Sequence, residues 1–343
     1  MCFCIVFEIS KSAHASARVH VTIFSERLTM KFENRQQPRI VYMGTPEISA
    51  IVFKGMLDAG FNIIGLVCNE DRPIGRKGTL EWPATKKIAM EHGIPVFQPH
   101  RIRNDYQTLA DWNPDVVVTM AYGQIVPQAV LDIPRFGCIN LHGSLLPKLR
   151  GAAPIQRSIM QGDIVTGVTL MEMVDKMDAG RMYDKIEVEI LPEDNYSSLA
   201  EKIGNAAKEL ILRDLLSYLN GELPGEVQNE EEVTFAAKIS PEDEKLSFYS
   251  PVQDFVNMVR GLSLTPGGYV LLEGKKFKIL SAKAHSDEVA AAPGTIVSDK
   301  KGIFVQCEDG IVSLHLVQME GKKPMDAKSF VNGVRDLKGK VFE

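Results

Sequence analysis

From Arg39 the chain reads RIVYMG, a short apolar run, and then TPEISAIVFKGMLDAG, whose apolar positions fall at three- and four-residue intervals up to Gly60. The run predicts a strand and the spaced stretch a helix. The alternation returns in NIIGLVCN, PATKKIAMEHG, IPVFQP, DVVVTMAYG and FGCINLHGS, each bounded by turn residues. Strands alternating with helices predict an α/β fold, a mostly parallel, Rossmann-like sheet with helices on both faces. Gly44-Thr45-Pro46 stands where a dinucleotide-binding turn would, but it lacks the G-x-G-x-x-G spacing. It reads as a tight turn that the fold requires.

After Asp194 the stretch SSLAEKIGNAAKELILRDLLSYLNG has helical spacing and stops at Gly221, which closes the first unit. Residues 222–241 hold Pro224, Gly225, an acidic run from Glu230 to Glu232, and Pro241, and read as a connector. Beyond lie a helix-like PVQDFVNMVRGLS and short runs broken by turns, GGYVLLEG, KKFKILSAKAH, GTIVSD, GIFVQCED and GIVSLHLVQMEG. These predict a small OB-like β-barrel. The expected layout is therefore an unassigned extension at 1–38, a catalytic domain at 39–222, a linker at 223–241 and a barrel domain at 242–343.

Size agrees with that layout, since 343 residues exceed what one ordinary core supports. A net charge of −5 gives no global pull on nucleic acid, so any RNA contact must be local. Residues 236–343 carry 15 Lys and Arg against 14 Asp and Glu, so the basic character lies towards the end of the chain. Five cysteines, Cys2, Cys4, Cys68, Cys138 and Cys307, show no CxxC spacing and read as reduced cytosolic thiols. No stretch is apolar enough to span a membrane, and a cytoplasmic monomer is expected. The opening MCFCIVFEI lacks the leading positive charge of a signal peptide, and Glu8 and Glu26 count against an organellar transit peptide. The plainest reading is a start at Met30.

The chemistry concentrates in residues 137–156, GCINLHGSLLPKLRGAAPIQ. Strand side chains alternate faces, so Asn140 and His142 share one side and Gly143 ends the strand at its carboxyl edge. Ligands bind at that edge in open parallel sheets. An Asn amide can donate to an oxyanion and a His can move a proton, two of the parts an acyl-transfer site needs. The third, a carboxylate, could be Asp175 or Asp178 in MEMVDKMDAGRMYDK, and spacing does not choose between them. The loop CNEDRPIGRKGTLEWPATKK is long and basic, with Arg72, Arg76, Lys77, Lys86 and Lys87 beside Trp82. Long connections in compact domains are usually functional or mobile.

These residues resemble a known family. NLHGSLLPKLRGAAPIQ followed by MDAG is similar to the formyltransferases that use 10-formyltetrahydrofolate, and RGAAPIQ is most similar to the members that act on methionyl-tRNA. The likeness runs from Arg39 to roughly the end of the chain and takes in RIVYMGTPE, DRPIGR and AYGQIVP; the first 38 residues have no counterpart in it. It implies formyl transfer from 10-formyltetrahydrofolate to the amino group of methionine on initiator methionyl-tRNA, without a metal. It places the catalytic trio on Asn140, His142 and Asp178, which decides against Asp175. It implies a folate-contacting loop at Ser144, Leu145, Leu146 and Pro147, and tRNA contacts at Arg72, Arg76 and Lys77. Lys275, Lys276, Lys278, Lys322 and Lys323 are expected to meet phosphates from the barrel. Arg181 departs from the acidic residue that many relatives carry there.

Rival readings remain. A formyltransferase for a purine precursor would need only the first domain, and formyl-sugar enzymes or folate hydrolases fit RGAAPIQ less well. A non-catalytic RNA-binding protein would have no use for all three polar residues.

Overall fold

The structure, a computed structural model, describes residues 31–74, 79–298, 302–334 and 336–343. The expected start at Met30, the Cys2 and Cys4 pair, and the proposed tRNA contacts Arg76 and Lys77 lie outside the described residues.

The first unit runs β1 (Ile40–Gly44), α1 (Glu47–Asp58), β2 (Ile63–Val67), β3 (Arg72–Ile74), β4 (Thr79–Glu81), α2 (Ala84–Glu91), β5 (Val96–Phe97), α3 (Gln107–Asp111), β6 (Val116–Met120), α4 (Gln128–Leu131), β7 (Cys138–His142), α5 (Pro154–Met160), β8 (Val165–Glu172), β9 (Met182–Glu189) and α6 (Tyr196–Leu219). Seven strands form one sheet in the order β5-β2-β1-β6-β7-β8-β9. The first five are mutually parallel, and β8 and β9 add an antiparallel edge. All five residues of β1 and all five of β6 are buried. That is why these strands read as unbroken apolar runs: helices cover both faces of the sheet.

One face packs under α1 and α6, where Tyr42 stacks on Phe53 at 5.0 Å and Ile203, Leu210 and Ile211 are fully buried. Full burial of each such side chain contributes roughly 1.5–3 kcal/mol. Asn195 starts α6 by accepting from the Ser197 and Ser198 N–H groups, while Ser198 Oγ receives the Asn195 N–H, a reciprocal cap. The packed chain begins ahead of β1. Phe32 is buried edge-on against Phe136, and its backbone exchanges hydrogen bonds with the Asn220 side chain at 2.8 and 3.1 Å.

The second unit holds α7 (Val252–Leu262), β10 (Gly268–Leu272), β11 (Lys275–Ser286), β12 (Ile296–Ser298), β13 (Ile303–Gln306), β14 (Ile311–Met319), β15 (Met325–Asp326) and α8 (Ala327–Gly333). Its strands form a curled antiparallel sheet in the order β10-β11-β14-β13-β12, with β15 paired to β14. Irregular register along β11 bends the sheet around α7, whose Phe255, Val256 and Val259 enter the second core. The two units touch through charged anchors. Arg260 on α7 donates to the Leu191 and Asp194 carbonyls, each at 2.7 Å, and Arg157 on α5 forms a two-pronged pair with Asp243 at 2.7 and 3.1 Å.

The stretch read as a plain connector is fixed to the first unit. Glu226 exchanges backbone hydrogen bonds with Met182, Thr234 and Ala236 pair with Arg150, and Glu230–Glu232 forms one 3₁₀ turn. The long basic loop likewise holds a two-stranded ladder, β3 with β4. Cross-strand pairing shows in neither composition nor apolar spacing, so both segments read as loops.

Candidate active site

His142 ends β7 at the carboxyl edge of the parallel strands. Its neighbours across the ladder are Thr169 on β8 and, beyond it, Lys185 on β9; Asn140 lies one row earlier, between Thr119 on β6 and Met171 on β8. Directly paired strand residues face the same side, so each row sets its side chains together. Thr169 and Lys185 hold the loop that follows. Thr169 Oγ1 donates to the Ser144 carbonyl at 2.7 Å and accepts from Leu146 N–H at 3.1 Å, and Lys185 Nζ donates to the Leu146 carbonyl at 2.8 Å. Thr169→Val would leave a buried carbonyl and a buried N–H without their partner. Urea denaturation should register a loss of roughly 1–3 kcal/mol, and an unchanged midpoint would mean that the loop is held elsewhere.

The loop then returns to His142. The Leu149 carbonyl lies 2.9 Å from His142 Nε2. A carbonyl only accepts, so Nε2 carries a proton and Nδ1 is the basic nitrogen of the neutral ring. Asp178 Oδ2 stands 3.7 Å from Nδ1, beyond hydrogen-bond length but close enough to stabilise positive charge on the ring. His142 is buried and Asn140 half-buried. The site thus offers an amide, a basic ring nitrogen and a carboxylate at the rim of the sheet, the equipment for attack by an amine on an acyl carbon.

The two carboxylates that spacing did not separate are placed differently. Asp175 is exposed, whereas Asp178 turns inward and accepts from Gly151 N–H at 2.8 Å. Asp178 adopts φ 49°, a left-handed conformation that costs energy in a residue with a Cβ and persists where surrounding bonds impose it. Two glycines make this closure sterically possible. A Cβ on Gly180 would lie 2.0 Å from the Glu172 carbonyl oxygen, and one on Gly151 would lie 2.6 Å from that of Ala236.

The other expected contacts are distributed unevenly. Ser144 is buried and donates to the Lys148 carbonyl at 2.7 Å, Leu146 packs with Met171 and Met182, and Pro147 is buried; only Leu145 is half-exposed. Arg72 is exposed on β3, while Lys86 is bound to Asp71 at 2.7 Å and to Gln98 at 2.8 Å, with Trp82 beneath it. In the second unit Lys278 donates to the Pro266 carbonyl and Lys276 lies over Tyr269, whereas Lys275, Lys322 and Lys323 are exposed. Arg181 donates to the Gly225 carbonyl at 2.9 Å and so ties the loop that carries Asp178 to the connector.

Two open depressions of about 440 and 450 Å³ lie along the ends of β1, β2 and β6, sharing Asn69, Glu70, Arg72 and Gly123. Neither is lined by Asn140, His142 or Asp178. They lie at the carboxyl ends of the parallel strands, the edge at which open α/β sheets bind ligands. Burial pushes the Cys68 thiol up to about 11 and that of Cys307 up to about 12, which keeps both protonated near neutral pH. Among the described residues no group of His, Cys, Asp and Glu could hold a metal ion, and no helix is long and apolar enough to cross a membrane.

Comparison with known proteins agrees over both units. Residues 39–215 match the formyl transferase family, and residues 238–335 match the formyl transferase C-terminal domain. Methionyl-tRNA formyltransferase from Bacillus subtilis is 40% identical over 308 residues, covering 89% of this chain and 97% of its own. That from Malacoplasma penetrans is 40% identical over 301 residues, covering 88% and 95%. The chain belongs to the methionyl-tRNA formyltransferase family.

Solved structures show the same fold at lower identity. The N-formyltransferase from Helicobacter canadensis, in complex with folinic acid and dTDP-3-aminofucose, matches with a TM-score of 0.63 at 14% identity, over 82% of this chain and all of its own. HypX from Aquifex aeolicus, in complex with tetrahydrofolic acid, matches with a TM-score of 0.62 at 14% identity over 89% of this chain. This chain spans about half the length of HypX. Three residues outside the family's most recognisable motifs, Thr169, Lys185 and Gln228, hold the loops around the polar trio through folded contacts, and Arg150 joins them. Only Arg150 lies within the motif, and charge alone did not mark it as buried.

Proposed function

We propose that this chain transfers the formyl group of 10-formyltetrahydrofolate to the free amino group of methionine on initiator methionyl-tRNA. The observation that carries the reading is the identity of about 40% with methionyl-tRNA formyltransferases over nearly nine tenths of the chain, second unit included. The geometry at the end of β7 supplies a mechanism. The methionine amine attacks the formyl carbon, a C–N bond forms, and the formyl oxygen becomes an oxyanion. The Asn140 amide donates to that oxygen. His142 Nδ1 takes the proton that the amine sheds, and Asp178 stabilises the resulting imidazolium. The bond from carbon to the folate nitrogen then breaks, and that nitrogen leaves with a proton returned by the ring.

On this reading the folate carrier lies along the loop of Ser144, Leu145, Leu146 and Pro147, with the half-exposed Leu145 side chain as the group open to meet it. The acceptor end of the tRNA approaches over the β3–β4 hairpin, where Arg72, Arg76 and Lys77 meet phosphates. Arg76→Ala should raise KM for the tRNA about tenfold, the cost of one charge-assisted contact, and leave folate affinity unchanged. Equal loss for both substrates would make the hairpin a scaffold. The enzyme is taken to act as a cytoplasmic monomer. Incubation with labelled 10-formyltetrahydrofolate, with and without aminoacylated initiator tRNA, tests the reaction itself. Label should reach the tRNA only when methionine is attached, and label released as free formate regardless of tRNA would indicate a hydrolase.

A further inference from the structure

Gln228 lies in the segment that joins the two units, far in sequence from any catalytic group, yet it is only 4% exposed. Its amide nitrogen donates to two carbonyls of the loop between β8 and β9, Asp178 and Gly180, both at 2.8 Å. Its amide oxygen accepts from Arg150 Nε at 2.9 Å. Arg150 directly precedes Gly151, whose N–H holds the Asp178 carboxylate. One side chain therefore fastens the loop that carries Asp178 to the loop that returns to His142. Arg150 is itself buried, with Nη2 on Glu230 at 3.0 Å, and its Nη1 has no hydrogen-bond partner among the described residues. A guanidinium that is buried and incompletely paired costs stability. Its return is positional: it sets the Gln228 amide, while the backbone of Arg150 and Ala153 pairs with Thr234 and Ala236 of the connector.

We infer that Gln228 is a positioning residue for the transfer reaction, holding Asp178 in its left-handed turn opposite His142 through a bond network that Arg150 completes. The inference rests on the catalytic reading of Asp178 given above. The connector thereby becomes part of the active-site frame. A displacement of about 1 Å in a reacting group can cost about 10²-fold in rate, so loosening the Asp178 turn should act on turnover rather than on substrate binding.

The test compares Gln228→Met, which keeps the side chain's length and removes both of its hydrogen-bonding ends, with Asp178→Asn and with the double variant. The expected result is a kcat about 10- to 100-fold below wild type for Q228M, with KM for both substrates unchanged. The double variant should be no slower than D178N alone, because Gln228 acts through Asp178. If Q228M does not fold, Gln228→Asn replaces it: the shorter side chain cannot span both loops, and the same kcat loss is expected. Wild-type kcat in a folded Gln228 variant, a rise in KM with no change in kcat, or multiplicative losses in the double variant would overturn the inference. Failure of the underlying reading looks different: D178N itself would then turn over at the wild-type rate.

Discussion

Asn140→Ala should lower kcat for formyl transfer by about 10²–10³, equivalent to about 2.7–4 kcal/mol, the usual cost of removing one oxyanion donor. The reason lies in where charge appears. The formyl oxygen of the ground state needs little from the Asn140 amide, whereas the tetrahedral intermediate puts a full negative charge on that atom beside a half-buried donor. Folate affinity should therefore remain near wild type, and single-turnover transfer set against equilibrium titration of the carrier separates the two quantities. Parallel loss of affinity and rate would move Asn140 to a binding role.

Asp178→Asn should cost more, about 10²–10⁴ in kcat. The substitution keeps volume, and the amide oxygen of Asn can still accept from Gly151 N–H, so the loop has no steric reason to move. What it removes is the negative charge 3.7 Å from His142 Nδ1. An uncompensated imidazolium at a buried position is expensive, and the amine proton then has no stable destination. His142→Ala should fall in the same range, and the pair of changes should be far from multiplicative because the two groups act on one proton. Rapid-quench assays of the three variants provide the comparison. Full additivity would mean that the two side chains do not work as a unit.

How much of this was legible in the chain follows from which signals are local. Val116–Met120 and Ile40–Gly44 are buried on both faces, so their apolar runs announced central parallel strands without help from neighbours. Because side chains alternate faces along a strand, Cys138–His142 followed by Gly143 put Asn140 and His142 together at a strand end. Spacing did not separate Asp178 from Asp175, which share a loop, and the preference for Asp178 came from the family resemblance; the folded turn brings Asp178 to 3.7 Å from the ring and leaves Asp175 exposed. Lys86 and Lys278 read as free cations, yet one serves Asp71 and Gln98 and the other a backbone carbonyl. Gln228 was unreadable for the same reason. It is a single polar residue in a stretch rich in acid, Pro and Gly, and its side-chain hydrogen bonds go to partners about 50 and 80 residues away. Signals spread over such separations leave no period in the sequence.

Catalysis requires Asn140, His142 and Asp178 to meet at one reacting carbon. The most direct check is a crystal structure of the enzyme bound to a non-transferable formyl-folate analogue. The formyl oxygen should lie about 3 Å from the Asn140 amide nitrogen, with the formyl carbon beside His142 on the side open to an incoming amine. An analogue seated with its formyl group well away from all three residues, in a complex that is active when the true donor is supplied, would contradict this arrangement.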